Sequence, residues 1–168
     1  MFNHWLRTNK VVALILVFVR FYLGYTWITG GIRKLTGGFD AGGFLQGAAE
    51  KSTGWWATFL ENIALPGVGI FNILIPFGET LVGLGLILGV FTTFSALMGL
   101  VMNSAFLLSG SLSTNVQMLL LECLIIVAAA NGGRIGLDRW VLPYIHNFLF
   151  NKKAKISSQV PHLNTTGV

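Results

Sequence analysis

Residues 11–32, VVALILVFVRFYLGYTWITGGI, decide how the rest of the chain is read. The run carries a single charge, Arg20, and its length matches the ~20 apolar residues with which a helix crosses a bilayer. It also poses a problem. A guanidinium at the centre of a membrane helix costs ~2.5–3.5 kcal/mol on insertion scales, and it is ordinarily neutralised by a partner facing the bundle interior.

Upstream, Arg7 and Lys10 precede the run, and no small-residue cleavage site follows it. The start therefore reads as a retained signal-anchor helix. Downstream, GGIRKLTGG (30–38) ends the span, its double glycine offering a left-handed cap, with Arg33 and Lys34 at headgroup level. The polar, Gly-rich connection 36–66 is too polar to cross. Trp55, Trp56, Phe59, Leu60 and Ile63 recur in it at helical spacing, which predicts an interfacial or re-entrant helix.

Three further apolar runs follow, at about 67–89, 94–111 and 113–131. Pro76, with Gly78 beside it, is expected to kink the second span. The tight turn VFTT (90–93) forces the third span antiparallel to the second, and Gly85, Gly89, Ser95 and Gly99 offer small faces for close approach. GGR (132–134) stops the fourth. RIGLDRWVLPYIHNFLFNKKAK (134–155) reads as an amphipathic segment broken at Pro143, and the polar end as disordered. The expected fold is all-α: an integral membrane four-helix bundle with an interfacial helix in its first loop. Residues 1–10 form a cytoplasmic N-terminus, 11–142 the membrane domain, and 143–168 a cytoplasmic amphipathic segment and tail.

Composition agrees. Only 10% of the 168 residues are charged, against roughly a quarter in soluble domains, and mean hydropathy is +0.71. The surface therefore cannot face water all round. The net charge of +5 does not point to nucleic acid, because Arg7, Lys10, Arg134, Arg139, Lys152, Lys153 and Lys155 flank the outermost spans. Only Arg33, Lys34 and Lys51 fall on the long loop, which places both termini in the cytoplasm and the loop outside. Anionic membrane lipid would hold the basic flanks.

The single cysteine, Cys123, excludes a disulfide within the chain, a Cys-x-x-Cys pair and a structural zinc knuckle. His4, His146 and His162 lie in terminal segments, so neither haem nor a metal centre is expected at membrane depth. No phosphate loop, HExxH motif or Ser-His-Asp set occurs.

The candidate chemistry lies in ionisable groups at membrane depth: Arg20, Glu79 and Glu122. One cation and two acids leave one acid unmatched, which is expected to carry or share a proton and so to relay protons. Tyr22, Tyr25, Thr26, Trp27, Asn103 and Gln117 are positioned to line the same cavity, a setting suited to a flat, polar-edged ligand such as a quinone head. An Arg–Glu pair that merely locks two helices is the competing reading. Asp138, beside Arg134 and Arg139, is expected to pin the cytoplasmic end of the last span.

Three segments in order, RFYLGYTWITGGIRKL (20–35), GETLVGLGLILGVFTT (78–93) and NGGRIGLDRW (131–140), resemble DoxX/DoxD-type membrane proteins. The resemblance implies a prokaryotic multi-pass cell-membrane protein similar to the large subunit of thiosulfate:quinone oxidoreductase. That enzyme joins two thiosulfates into tetrathionate and passes two electrons to quinone, working with a smaller soluble subunit absent from this chain. On these residues, Arg20 with Lys34 would attract an anion or hold a quinone carbonyl, and Glu79 or Glu122 would deliver protons. Two alternatives stand beside it: a non-catalytic membrane scaffold recruiting a soluble oxidoreductase, and a small-molecule channel or transporter, assisted by homo-oligomerisation.

Overall fold

The computed structural model describes residues 2–157, with side chains over residues 4–148, and every regular element there is helical. A short α1 (Phe2–Thr8) precedes α2 (Lys10–Thr36). Asn9 starts α2, its side chain accepting from Val11 N at 2.7 Å and Val12 N at 3.4 Å. The helix runs on through Gly30 and Gly31 and ends at Gly37, with Gly38 in the left-handed region at φ +69°.

α5 (Val68–Leu88) returns antiparallel along α2, and this is the most extensive helix interface of the molecule. Glycines set its closeness. A Cβ on Gly24 would stand 2.8 Å from Gly83 O, and one on Gly83 2.7 Å from Gly24 O, so the two backbones touch only because neither residue has a side chain. Gly31, inside the helix, allows the same close approach: a Cβ there would stand 2.9 Å from Pro76 O. Pro76 itself is buried inside a continuous α5.

Between α2 and α5 lie α3 (Ala41–Lys51), α4 (Gly54–Phe59) and a π-helical turn (Leu60–Ala64), which form a separate small core with Ile75 of α5. α6 (Thr92–Leu108) follows the turn at Gly89 and Phe91, both with positive φ. α7 (Asn115–Ala128) is shorter than the expected 113–131, because Ala129, at φ 49° and ψ −126°, leaves helical geometry and only the short α8 (Ala130–Gly133) follows. α9 (Asp138–Ser157) passes unbroken through Pro143, contrary to expectation. An exposed proline early in the helix deletes one backbone bond and leaves the rest of the ladder intact. The tail expected to be disordered lies almost wholly outside the described residues, as does His162.

α2, α5, α6 and α7 share one core, with Leu16, Leu23, Val82, Leu86, Ala96 and Ile125 among its buried residues. α1, the α5–α6 turn and α8 gather at one end of the molecule. There Asn131 Nδ2 donates to Leu6 O at 2.8 Å, and Arg134 donates to Thr8 O at 2.8 Å. The α3–α4 segment meets the end of α6 at the other, through Trp56 Nε1 donating to Ser109 Oγ at 3.3 Å. α2 and α5 are each long and apolar enough to cross a membrane, whereas α6 and α7 are apolar but shorter, at 17 and 14 residues.

Candidate functional site

The three ionisable groups expected to share one pocket occupy three separate places. Arg20 is 2% exposed and pairs with neither glutamate. Its Nε donates to Leu86 O at 3.1 Å, one terminal nitrogen to Gly132 O at 2.8 Å and the other to Ile135 O at 3.0 Å. The last carbonyls of α5 have no partner within their own helix. Arg20 serves one of them, Leu137 N serves Leu88 O at 3.1 Å, and Asp138 N serves Gly89 O at 2.7 Å. The Asp138 carboxylate then caps α6, accepting from Phe91 N at 2.6 Å and Thr92 N at 2.9 Å. A cation at a helix C-terminus and an anion at a helix N-terminus also complement the two dipoles. Asp138 thus ties the chain to the α5–α6 turn; Arg134 reaches Thr8 instead.

Glu79, 3% exposed, is held by Lys34, whose Nζ lies 2.7 Å from both carboxylate oxygens. Lys34 is 28% exposed and stands 5.6 Å from the Phe39 ring centroid. Gly30 leaves the room this needs, since a Cβ there would come within 3.2 Å of Glu79 Oε2.

Glu122 is fully buried and has no cation in contact among the described residues. Trp27 Nε1 donates to Oε1 at 2.8 Å, and Asn103 Nδ2 donates to Oε2 at 2.9 Å. Gly99 makes space for this carboxyl: a Cβ at Gly99 would lie 2.5 Å from Oε1. Asn103 Oδ1 is buried with no hydrogen-bond partner, so polar capacity remains here.

Beside this cluster, between α5 and α6 and under the α3–α4 cover, runs a groove of about 760 Å³. Phe44, Trp56, Phe71, Met98, Met102 and Phe106 line it; among the described residues Ser95, Ser104 and Ser109 are its only hydroxyls. Phe106 joins groove to cluster. Its ring centroid lies 6.5 Å from that of Trp27 and 6.1 Å, edge-on, from that of Phe44. Met98 and Met102 also pack against the core that holds Trp27. One layer of side chains therefore separates an apolar space from a buried acid.

Other expected site residues lie elsewhere. Tyr22 and Tyr25 are 40% and 68% exposed on the outer face of α2, and Gln117 is exposed near the start of α7, so none lines a cavity with the acids. Helical period alone gives too wide a face to tell a lining residue from an outward one. Sequence alone does not reveal the groove, because apolar side chains drawn from α3, α4, α5 and α6 carry no local signature. Trp56 and Phe59, stacked at 5.1 Å, were visible only as an amphipathic pattern. Among the described residues no group of three or more His, Cys, Asp and Glu is arranged to hold a metal ion.

A family model described as DoxX matches residues 15–111, a span that includes Arg20, Trp27, Lys34, Glu79 and Asn103 and stops short of Glu122 and Asp138. No curated protein and no solved structure matches the chain.

Proposed function

We propose that this chain, which belongs to the DoxX family, is the quinone-binding, four-span subunit of a membrane oxidoreductase in a prokaryotic cell membrane. The membrane placement is supported by an inverted distribution of polarity. Arg20, Glu79 and Glu122 are buried, while Phe18, Tyr25, Ile70, Leu81, Phe94 and Leu120 are exposed along α2, α5, α6 and α7. Water rewards the opposite arrangement, and hydrocarbon rewards this one. α6 and α7 span ~26 and ~21 Å at 1.5 Å per residue and complete their crossings with flanking turns. Basic residues at the end bearing α1 and α9 face the cytoplasm.

The observation that carries the quinone reading is the groove closed by aromatic rings against a buried acid. An almost wholly apolar lining suits a prenyl tail, and flat faces at Phe44, Trp56 and Phe106 suit a ring. Reduction needs two electrons and two protons. With the donor implied by the resemblance, 2 S2O3(2−) + quinone + 2 H+ gives S4O6(2−) + quinol, the sulfur–sulfur bond forming on a soluble partner subunit. Glu122, positioned by Trp27 and Asn103, is the proton-handling group on this chain. Lys34, at the partly exposed end of its pair with Glu79 and nearer the outer face than Arg20, draws an anion. Arg20 touches no substrate and holds the bundle end.

The test is purification in mild detergent, lipid extraction and an absorbance scan. Wild-type protein carries quinone, and Ala105→Trp, which plugs the groove wall, carries none. With the partner present, thiosulfate-dependent quinone reduction is lost in Glu122→Gln. Wild type free of quinone and unable to bind added quinone refutes the reading. One observation favours a non-catalytic scaffold instead: Arg20 is sealed and satisfied by backbone carbonyls, as a purely structural group would be. In that case Glu122→Gln leaves the partner's turnover unchanged.

A further inference from the structure

A second groove, of about 720 Å³, opens at the end of the molecule where α2 begins and α9 begins. Lys10, Arg134 and Arg139 line it, together with Asp138, Leu142 and Pro143. Its charge is unbalanced. Asp138 is the one acid, and both its oxygens are engaged by backbone N–H groups of the α5–α6 turn. None of the three cations makes an ion pair among the described residues, and residues 149–168 contain no Asp or Glu that could supply one. Arg134 is held over the groove by its bond to Thr8 O. Apolar side chains share the lining with these cations, Ile135, Leu142 and Pro143 among them, and Val11 and Leu14 at the start of α2 are exposed.

Cations and hydrocarbon in one groove match an amphiphilic anion. We propose that this groove binds the phosphodiester headgroup of an anionic phospholipid of the cytoplasmic leaflet, with Lys10, Arg134 and Arg139 on the phosphate and the first acyl carbons along Leu142 and α2. Arginine and lysine make charge-assisted hydrogen bonds to phosphate oxygens, and the negative potential of that leaflet concentrates the ligand. The inference rests on the membrane placement proposed above and is independent of quinone chemistry, so loss of lipid binding leaves the quinone test standing.

The experiment uses the full chain in neutral detergent, titrated with phosphatidylglycerol or phosphatidylcholine and read by native mass spectrometry. Wild type retains phosphatidylglycerol over phosphatidylcholine, and Lys10→Gln with Arg139→Gln lowers that retention roughly 10-fold. Both side chains are exposed, and Lys10→Gln alone, expected to lose about half the effect on a logarithmic scale, serves if the double variant fails to fold. Arg33→Gln with Lys51→Gln, equal in charge but at the other end, retains the lipid. Equal retention of the two lipids overturns the proposal. So does equal loss in the control pair, which would mark a diffuse charge effect, or displacement by millimolar inorganic phosphate, which would mark a site for a soluble anion.

Discussion

Replacing Arg20 with leucine separates a structural arginine from a ligand-binding one. The substitution removes three hydrogen bonds and leaves Leu86 O, Gly132 O and Ile135 O without the donor that serves each of them. Orphaning a buried acceptor costs ~1–3 kcal/mol. Part of that is offset because the unfavourable burial of a charge disappears as well. The net loss is ~3–6 kcal/mol, against a total stability on the order of 5–15 kcal/mol. For a chain of this size it corresponds to a midpoint lowered by roughly 10–20 °C. Arg20→Lys keeps the charge, but a single ammonium cannot spread over carbonyls from three segments, so its loss is intermediate. The assay is thermal unfolding in detergent followed by tryptophan fluorescence, with bound quinone measured on the same samples. Stability and quinone content fall together if Arg20 is a staple. A leucine variant that melts within 1–2 °C of wild type, or one that keeps its midpoint and loses quinone, would falsify the assignment and return Arg20 to the binding site.

The other pairs give sharper, smaller effects. Lys34→Met strands the Glu79 carboxylate, which is 3% exposed, and should cost ~2–4 kcal/mol in unfolding, less than a fully buried pair because water reaches Lys34. Adding Glu79→Leu should recover at least half of that loss, and additive losses in the double variant would mean the two do not interact. Gly99→Ala drives a methyl against Glu122 Oε1 and toward Trp27 Nε1, so Trp27 should lose its hydrogen bond, seen as an altered indole N–H signal, with a modest drop in melting point. An unchanged signal would count against the buried carboxyl as its acceptor. Gly89→Ala combines a left-handed backbone, φ +63°, with a methyl 2.8 Å from the Arg20 guanidinium, and should cost ~2–4 kcal/mol.

The helices, their order and the burial of three ionisable groups were legible in the sequence because each rests on a local pattern: an apolar run, a glycine-rich stop, a charge where hydrocarbon should be. The pairing was not legible. Arg20 and Glu79 both lie inside apolar runs, which puts each at membrane depth without saying which groups meet. The structure instead sets Glu79 level with Gly30 and puts Arg20 against the C-terminal turn of α5. Carbonyls were the overlooked partner. Every residue carries one, so an arginine that bonds only backbone leaves no trace in side-chain chemistry. The end of α7 was missed for a related reason: AAANGG (128–133) is apolar and helix-compatible, and only the backbone at Ala129, φ 49°, reveals the stop.

The extent of the folding unit follows from where the buried donors find their acceptors. The DoxX match ends at residue 111, yet Trp27 and Asn103, inside it, both donate to Glu122, outside it. Arg20, also inside, spends two of its three bonds on Gly132 and Ile135. The carbonyls of Leu88 and Gly89 at the end of α5 are met by Leu137 N and Asp138 N, and the N-terminus of α6 by the Asp138 carboxylate. A chain cut after α6 would leave two donors, much of one guanidinium and a helix start unsatisfied in the core, at ~1–3 kcal/mol apiece. That total rivals the whole stability of an ordinary domain. The smallest piece able to hold the groove and its buried acid therefore runs at least to Asp138, and the charged groups near the α5–α6 turn belong to the machinery that holds α7 in place.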